Sequence, residues 1–93
     1  MTREEKAIRK LKKHGEVKIT TTHGVDCSSE LETLGVNLSY LESMQLEMQT
    51  YHERYVVDGY SNFKSQFKRS FKRLDDYVGG YLGKHGIRYG FYG

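Results

Sequence analysis

The sequence predicts a small α+β fold that is mainly α, with an N-terminal helix, a helical hairpin and a small β-hairpin or sheet. Apolar residues recur at helical spacing over residues 41–55 and again over residues 60–81. Apolar and polar residues alternate only in two short stretches, residues 16–22 and 86–92, so few strands are expected. With 93 residues and no proline, the chain is expected to form a single domain over residues 1–93.

The basic aromatic helix, residues 60–81, is the element against which the rest of the chain is predicted to pack. Its apolar residues lie at spacings of three and four, and cations occupy the positions between them. The apolar stripe comprises Tyr60, Phe63, Phe67, Phe71, Leu74, Val78 and Tyr81. The cations are Lys64, Lys68, Arg69, Lys72 and Arg73. This pattern is typical of an amphipathic helix with one aromatic face and one basic face.

A long acidic helix is predicted to precede it and to form the other half of the hairpin. Asn37 or Ser39 is expected to cap this helix, and Asp58-Gly59 is expected to end it. Its apolar stripe comprises Leu41, Met44, Met48, Tyr51 and Tyr55. The short link makes the two helices antiparallel neighbours. The same link also matches a β-hairpin with a type I′ turn, but the helical period on both sides favours helices.

The N-terminal part of the chain predicts a helix followed by a strand. Thr2 and Glu5 form a T-x-x-E capping box, so a helix is expected from about Arg3 to Lys13, with Gly15 as its C-terminal stop. Residues 16–22 alternate apolar and polar side chains, which predicts a strand. A turn after this strand would let residues 25–27 return as a short second strand.

Two further segments complete the prediction. Ser29 and Glu32 match another capping box and predict a short helix after the strand. Residues 79–93 contain six glycines, a density that we expect to exclude a stable helix and to give either a flexible tail or an edge strand. Within this segment, residues 86–92 are predicted to pair with residues 16–22.

Charge alternates along the chain. Residues 1–18 carry seven positive and three negative charges, residues 26–58 carry seven negative charges and one positive charge, and residues 60–74 carry five positive charges and none negative. Two interpretations remain open: an acidic and a basic helix that neutralise each other, or basic faces that meet an external polyanion.

The leading functional hypothesis is a small non-enzymatic nucleic-acid-binding protein, because the cations of the basic helix can contact phosphates. The N-terminal helix would support this contact with Arg9, Lys10 and Lys13. The glycine-rich tail offers stacking surfaces for a single strand through Tyr81, Tyr89, Phe91 and Tyr92, with Lys84 and Arg88 between them. Aromatic residues with glycine also build ordinary strand edges.

The alternative is a small regulator or inhibitor that docks on a larger protein. An acidic surface beside a basic one suits polar recognition of another protein. That acidic surface would comprise Glu42, Glu47 and Glu53. Pairing of Glu47 and Glu53 with the basic helix would weaken the nucleic-acid hypothesis. Because a chain this small buries a modest fraction of its surface, a homo-oligomer is also expected.

Catalytic, metal and membrane signatures are weak or absent. His23 and Cys27 have H-x₃-C spacing without the further ligands of a zinc site, and His52-Glu53 lacks the second histidine of H-E-x-x-H. We therefore expect no enzyme activity, no metal and no cofactor. The lone Cys27, the charged N-terminus and the lack of a long apolar run predict a cytoplasmic protein with no membrane partner.

Overall fold

The computed structural model describes residues 1–92 and confirms a mainly helical α+β architecture. Its helices and strands are α1 (Arg3–His14), β1 (Val17–Thr20), α2 (Ser28–Thr33), α3 (Leu38–His52), α4 (Lys64–Tyr81) and β2 (Tyr89–Tyr92). A π-helical turn, Glu53–Val57, follows α3. Short 3₁₀ turns, Ser61–Phe63 and Gly83–His85, flank α4.

The predicted antiparallel hairpin of α3 and α4 is confirmed. The ring of Tyr40, near the start of α3, lies 5.1 Å from that of Tyr77, near the end of α4. At the opposite end of the hairpin, the ring of His52 lies 5.5 Å from that of Phe67. Gly59 turns the chain between the helices with a φ of 79°. The β-hairpin alternative for this link is wrong, because both of its flanks are helical.

The strands form a two-stranded parallel sheet, in which Val17 is opposite Tyr89 and Thr20 is opposite Tyr92. The predicted pairing of residues 16–22 with residues 86–92 is therefore confirmed. A parallel pair needs a long crossover connection, which α2, α3 and α4 supply here. The predicted return strand over residues 25–27 is reduced to one antiparallel bridge from Val25 to Ile19.

The hydrophobic core lies where α1, α2 and the sheet meet the adjoining halves of α3 and α4. Its buried side chains are Leu11, Val17, Ile19, Leu31, Val36, Leu41, Met44, Met48, Leu74, Val78, Leu82 and Ile87. Two polar side chains, Gln45 and Ser70, are also buried, and the amide nitrogen of Gln45 donates to the carbonyl of Tyr92 at 3.1 Å. Gln45 thereby joins α3 to the end of β2.

The caps are partly as predicted. The side chain of Thr2 accepts a hydrogen bond from the backbone N–H of Glu5, and that of Asn37 accepts one from Tyr40. The prediction that Ser29 and Glu32 form a capping box is wrong. Ser29 lies inside α2, and the N-cap residue is Cys27, whose side chain makes no capping hydrogen bond. Burial of Leu31, rather than a cap, anchors this short helix.

The expectation that glycine excludes a helix after residue 78 is wrong in part. Gly79 and Gly80 form the last turn of α4, which continues to Tyr81. Each glycine costs about 1 kcal/mol relative to alanine in a helix. Burial of Val78 and Leu82 on either side offsets that cost, because tertiary packing contributes most of the stability of helices in proteins.

The aromatic stripe of the basic helix is only partly buried. Leu74 and Val78 belong to the core, but the side chains of Tyr60 and Phe71 are 59% and 42% exposed. The physical reason is that the end of α3 and its π-helical turn cover Phe67, through His52 and Tyr55, whereas Phe71 is met edge to face by Phe91 of β2 and keeps much of its ring open. The later turns of α4 also meet the 3₁₀ turn that leads to β2.

Candidate nucleic-acid interface

The basic face of α4 is a set of five exposed cations on the first half of the helix. Its members are Lys64, Lys68, Arg69, Lys72 and Arg73. At about 100° per residue, they cover roughly half of the helix circumference, on the side away from Leu74 and Val78. The sequence pattern predicted this segregation correctly, since the same helix buries its apolar positions and exposes its cations.

Internal neutralisation of the basic face is limited to Arg73. Its guanidinium lies 3.7 Å from the carboxylate of Glu47, and both side chains are about half exposed. Among residues 1–92, no acidic side chain lies within ion-pairing distance of the other four cations, and Glu53 makes no such pair. Most of the basic face is therefore unpaired within this part of the chain. The one ion pair, at Arg73, is solvent-exposed and contributes little free energy.

The basic face ends abruptly after Arg73. Asp75 and Asp76 follow on the next turn of α4, so the positive potential is concentrated on residues 64–73. An anion is therefore attracted to the part of α4 near the α3–α4 link and repelled from the part near the sheet. The distribution gives the helix one positive half and one negative half.

The N-terminal cations do not join this face. Arg9, Lys10 and Lys13 are exposed on α1, which packs mainly against α2 rather than α4. The ammonium of Lys10 lies 3.9 Å from the carboxylate of Glu30 on α2. The structure thus places the eight predicted phosphate-binding residues on two separate elements.

An aromatic groove of about 530 Å³ adjoins the basic face. Side chains from α3, α4 and β2 form its walls, and Glu16 lies at its edge. The aromatic groove is lined by Glu16, Met48, Gln49, His52, Phe67, Phe71, Asp75 and residues 89–92. The sequence did not reveal this groove, because its walls come from segments far apart in the chain; the only signal was the set of aromatic residues near the C-terminus.

The rings of the aromatic groove form one continuous series. The ring of Phe71 lies 6.3 Å from that of Phe67 and 5.9 Å from that of Phe91, and Phe91 lies 5.6 Å from Tyr89. Phe71 and Phe91 meet edge to face, at an interplanar angle of 88°. In such a contact only one of the two rings has a face covered by the other, so aromatic surface remains for a further flat group.

Two phenol–carboxylate hydrogen bonds hold the sheet side of the aromatic groove. The hydroxyl of Tyr89 donates to Asp75 at 2.8 Å, and the hydroxyl of Tyr92 donates to Glu16. Burial, and then the bond to Asp75, raise the pKa of Tyr89 to about 12. Tyr89 is therefore a neutral hydrogen-bond donor at physiological pH.

The histidines and the cysteine considered as metal ligands or catalytic groups do not form a site in the described residues. His14 approaches Asp26 at 3.3 Å, whereas the backbone N–H of His23 donates to the Thr20 hydroxyl. Burial raises the pKa of the Cys27 thiol, which keeps it protonated and weakly nucleophilic. Within residues 1–92, no three His, Cys, Asp or Glu side chains gather as metal ligands. In the same range, no helix is both long and apolar enough to cross a bilayer.

Comparison of the chain with protein-family models, with curated proteins and with solved structures gave no significant match.

Proposed function

We propose that this protein is a non-enzymatic nucleic-acid-binding protein that contacts phosphates through the basic face of α4. The observation that carries the proposal is the exposure of five cations on residues 64–73, of which only Arg73 has an acidic neighbour. Lys64, Lys68 and Lys72 are each one helical turn apart, which spaces their Cα atoms about 6 Å along the axis. A row of cations at that spacing can contact successive phosphates of one strand.

Binding of this kind is driven by the release of counterions from the nucleic acid. Its affinity therefore falls steeply with salt, with a slope of about −0.9 per phosphate contact on duplex DNA and about −0.7 on a single strand. Phosphate contacts position a protein without reading sequence. The basic face by itself is thus expected to bind with little sequence preference.

Fluorescence anisotropy titrations with labelled DNA and RNA, at low and at physiological salt, test the proposal. We expect micromolar or tighter binding at low salt that weakens steeply as salt rises. The Lys68→Glu/Lys72→Glu variant should lower the affinity at least about tenfold, because it replaces two phosphate contacts with two repulsive charges. Absence of binding by the wild-type protein at low salt would refute the proposal.

A matched control separates the basic face from net charge alone. The Lys6→Glu/Lys12→Glu variant changes the net charge by the same amount, but its substitutions lie on exposed positions of α1. We expect this variant to lose much less affinity than Lys68→Glu/Lys72→Glu. Equal losses would mean that binding follows net charge and has no dedicated face. A third variant, Arg9→Glu/Lys13→Glu, measures the contribution of the candidate cations on α1.

A second candidate function, docking on another protein, is favoured by the exposed tip of the α3–α4 hairpin. The side chains of Val56, Val57 and Tyr60 are 53%, 68% and 59% exposed there. A cluster of exposed apolar side chains is typical of a surface that another protein covers. A small regulator or inhibitor would use this tip to contact its partner.

A second copy of the chain is the simplest protein partner for the tip and is tested first. Size-exclusion chromatography with light scattering should then give a mass above 10.9 kDa that returns to 10.9 kDa in the Val56→Ser/Val57→Ser variant. A mass of 10.9 kDa for the wild type at high concentration would exclude self-association through the tip. Cross-linking would then seek a different protein that the wild type retains and this variant loses.

A further inference from the structure

We infer that the aromatic groove takes unstacked bases of a single-stranded nucleic acid while the basic face of α4 holds the neighbouring phosphates. This inference rests on the proposed function and specifies its substrate class. It assigns a role to aromatic side chains that phosphate binding does not use. The consequence is a preference for single strands over duplexes.

The wall of the groove on α4 has exposed aromatic surface. Phe71 lies on an outer flank of α4 with 42% of its surface exposed, although a large apolar side chain is usually buried when the fold offers the space. Phe91 of β2 meets it edge to face and is itself half-buried. Aromatic rings held in this way by a helix and a strand give a rigid platform for base stacking, which tolerates any base sequence.

The order of residues along α4 places this platform beside the cations. Two consecutive turns of α4 repeat a phenylalanine followed by a lysine, as Phe67-Lys68 and Phe71-Lys72. Because neighbouring residues in a helix point about 100° apart, each lysine lies on the solvent side of its phenylalanine. The aromatic groove and the basic face therefore run side by side, as the bases and phosphates of a strand do.

The aromatic groove has room for a nucleotide, and pairing keeps the bases of a duplex out of it. Its volume of about 530 Å³ falls within the range of pockets that hold small molecules. Bases in a duplex are stacked on each other and paired, so they cannot enter it without first being flipped out, which costs a few kcal/mol in duplex DNA. A single strand can present a base at much lower cost.

Carboxylates fix the orientation of the strand. Asp75 and Glu16 lie at the sheet edge of the aromatic groove, where each accepts a hydrogen bond from a tyrosine hydroxyl. These negative charges repel phosphates from the interior of the groove, while the cations of α4 attract them to its outer rim. Neutral bases meet no such repulsion. The charge arrangement therefore favours bases inside and phosphates outside.

Three labelled probes of equal length, about 12 nucleotides, test the inference by anisotropy: a single strand, its duplex, and an abasic strand that keeps the phosphates but lacks the bases. We expect the wild-type protein to bind the single strand at least about fivefold more tightly than the abasic strand. This is the lower end of the gain from stacking one base. At equal salt, the single strand should also be bound more tightly than the duplex.

The Phe71→Ala variant should remove the preference for the single strand over the abasic strand while leaving binding of the abasic strand unchanged. Phe71→Leu should also remove this preference, because leucine has no ring for a base to stack on. Since it keeps an apolar side chain of similar reach, it controls for a general loss of folding. Tyr60→Ala is the matched control, because Tyr60 is an exposed aromatic residue that does not line the groove. It should retain the wild-type preference.

The outcomes separate the inference from the proposed function. Equal wild-type affinity for the single strand and the abasic strand would overturn the inference and leave phosphate binding by α4 intact. Binding of none of the probes at low salt would overturn both. If Phe71→Ala instead leaves all affinities unchanged but lowers the mass measured by light scattering, the aromatic groove is an interface between copies of the chain, and the inference is also overturned.

Discussion

The two halves of α4 have the same regular backbone but opposite environments. In residues 74–81, Leu74 and Val78 are buried and Tyr77 and Tyr81 are half-buried, so this half belongs to the core. In residues 64–73, Ser70 is the one buried side chain, and the exposed positions include five cations and Phe71. The first half therefore leaves most of its side chains open to solvent, as the proposed binding requires.

This difference shows that an amphipathic helix can divide its roles along its length as well as around its circumference. The half near the sheet is covered from several sides and contributes stability. The half near the link packs on the end of α3, where Phe67 is half-buried, and meets β2 through Phe71, which stays 42% exposed. A change in the second half should affect folding, whereas a change in the first half should affect binding.

The largest expected effect on folding comes from Leu74→Ala. Removing this fully buried side chain should lower the free energy of unfolding by about 2–5 kcal/mol, because it leaves a cavity in the core. Phe71→Ala, one turn earlier, should cost only about 1 kcal/mol, because Phe71 already contacts solvent. Urea denaturation followed by circular dichroism measures both. Similar losses for the two variants would contradict the division of α4.

The salt dependence of the affinity measures how much each cation in residues 64–73 contributes to binding. Lys68→Gln should lower the affinity for a single strand a few-fold and reduce the salt slope by about 0.7, the loss of one phosphate contact. Arg73→Gln should reduce the slope less, because Glu47 already neutralises part of its charge. Anisotropy titrations at several salt concentrations give both slopes. An unchanged slope for Lys68→Gln would remove Lys68 from the interface.

Alanine substitutions at the two adjacent glycines near the end of α4 should change the free energy of unfolding by different amounts. Gly80→Ala should raise the free energy of unfolding by about 0.5–1 kcal/mol, because a Cβ there would meet no neighbour and alanine favours the helix. Gly79→Ala should gain less, because its Cβ would lie 3.1 Å from the hydroxyl of Tyr89. Thermal or urea unfolding compares them. A larger gain at Gly79 would mean that this close approach is absent.

Breaking the ion pair between α3 and α4 should barely change the stability and should slightly strengthen binding. Glu47→Gln should change the free energy of unfolding by less than about 0.5 kcal/mol, because both partners are half exposed. It should slightly raise the affinity for a single strand, because Arg73 regains its full charge. Weaker binding in this variant would show that Glu47 itself supports the interface.

A further effect is expected in the alkaline pH dependence of stability. The pKa of Tyr89 is raised to about 12 in the folded protein, against about 10 in an unfolded chain. Its contribution to stability is therefore fully present below about pH 10 and is lost as the pH rises through about 12. Comparison of the wild type with Tyr89→Phe over this range tests the assignment. Identical pH profiles would refute it.

Local signals in the sequence were enough to predict the helical hairpin, the N-terminal helix and the pairing of the two terminal strand segments. Each depends on short-range patterns: helical periodicity in residues 41–55, the cap at Thr2, and alternation in residues 16–22. The exposed row of cations on α4 was predicted for the same reason, since periodicity fixes which positions share a face.

What could not be predicted depends on contacts between distant segments. Periodicity assigned Phe71 to the apolar stripe, but whether that position is covered depends on where β2 and α3 lie. The helical conformation of Gly79 and Gly80 depends on the burial of Val78 and Leu82 by the rest of the core. The aromatic groove is a feature of the assembled fold, and no single segment contains its pattern.

The most direct test of the division of α4 is an NMR titration of the isotope-labelled protein with a single-stranded oligonucleotide. The amide signals of residues 64–73 and of the groove residues Phe91 and Tyr92 should shift with added strand, while those of core residues that do not line the groove, such as Leu11, Leu31 and Val78, should stay in place. Shifts that are absent from residues 64–73, or that are confined to α1, would contradict the central claim that the first half of α4 is the binding surface.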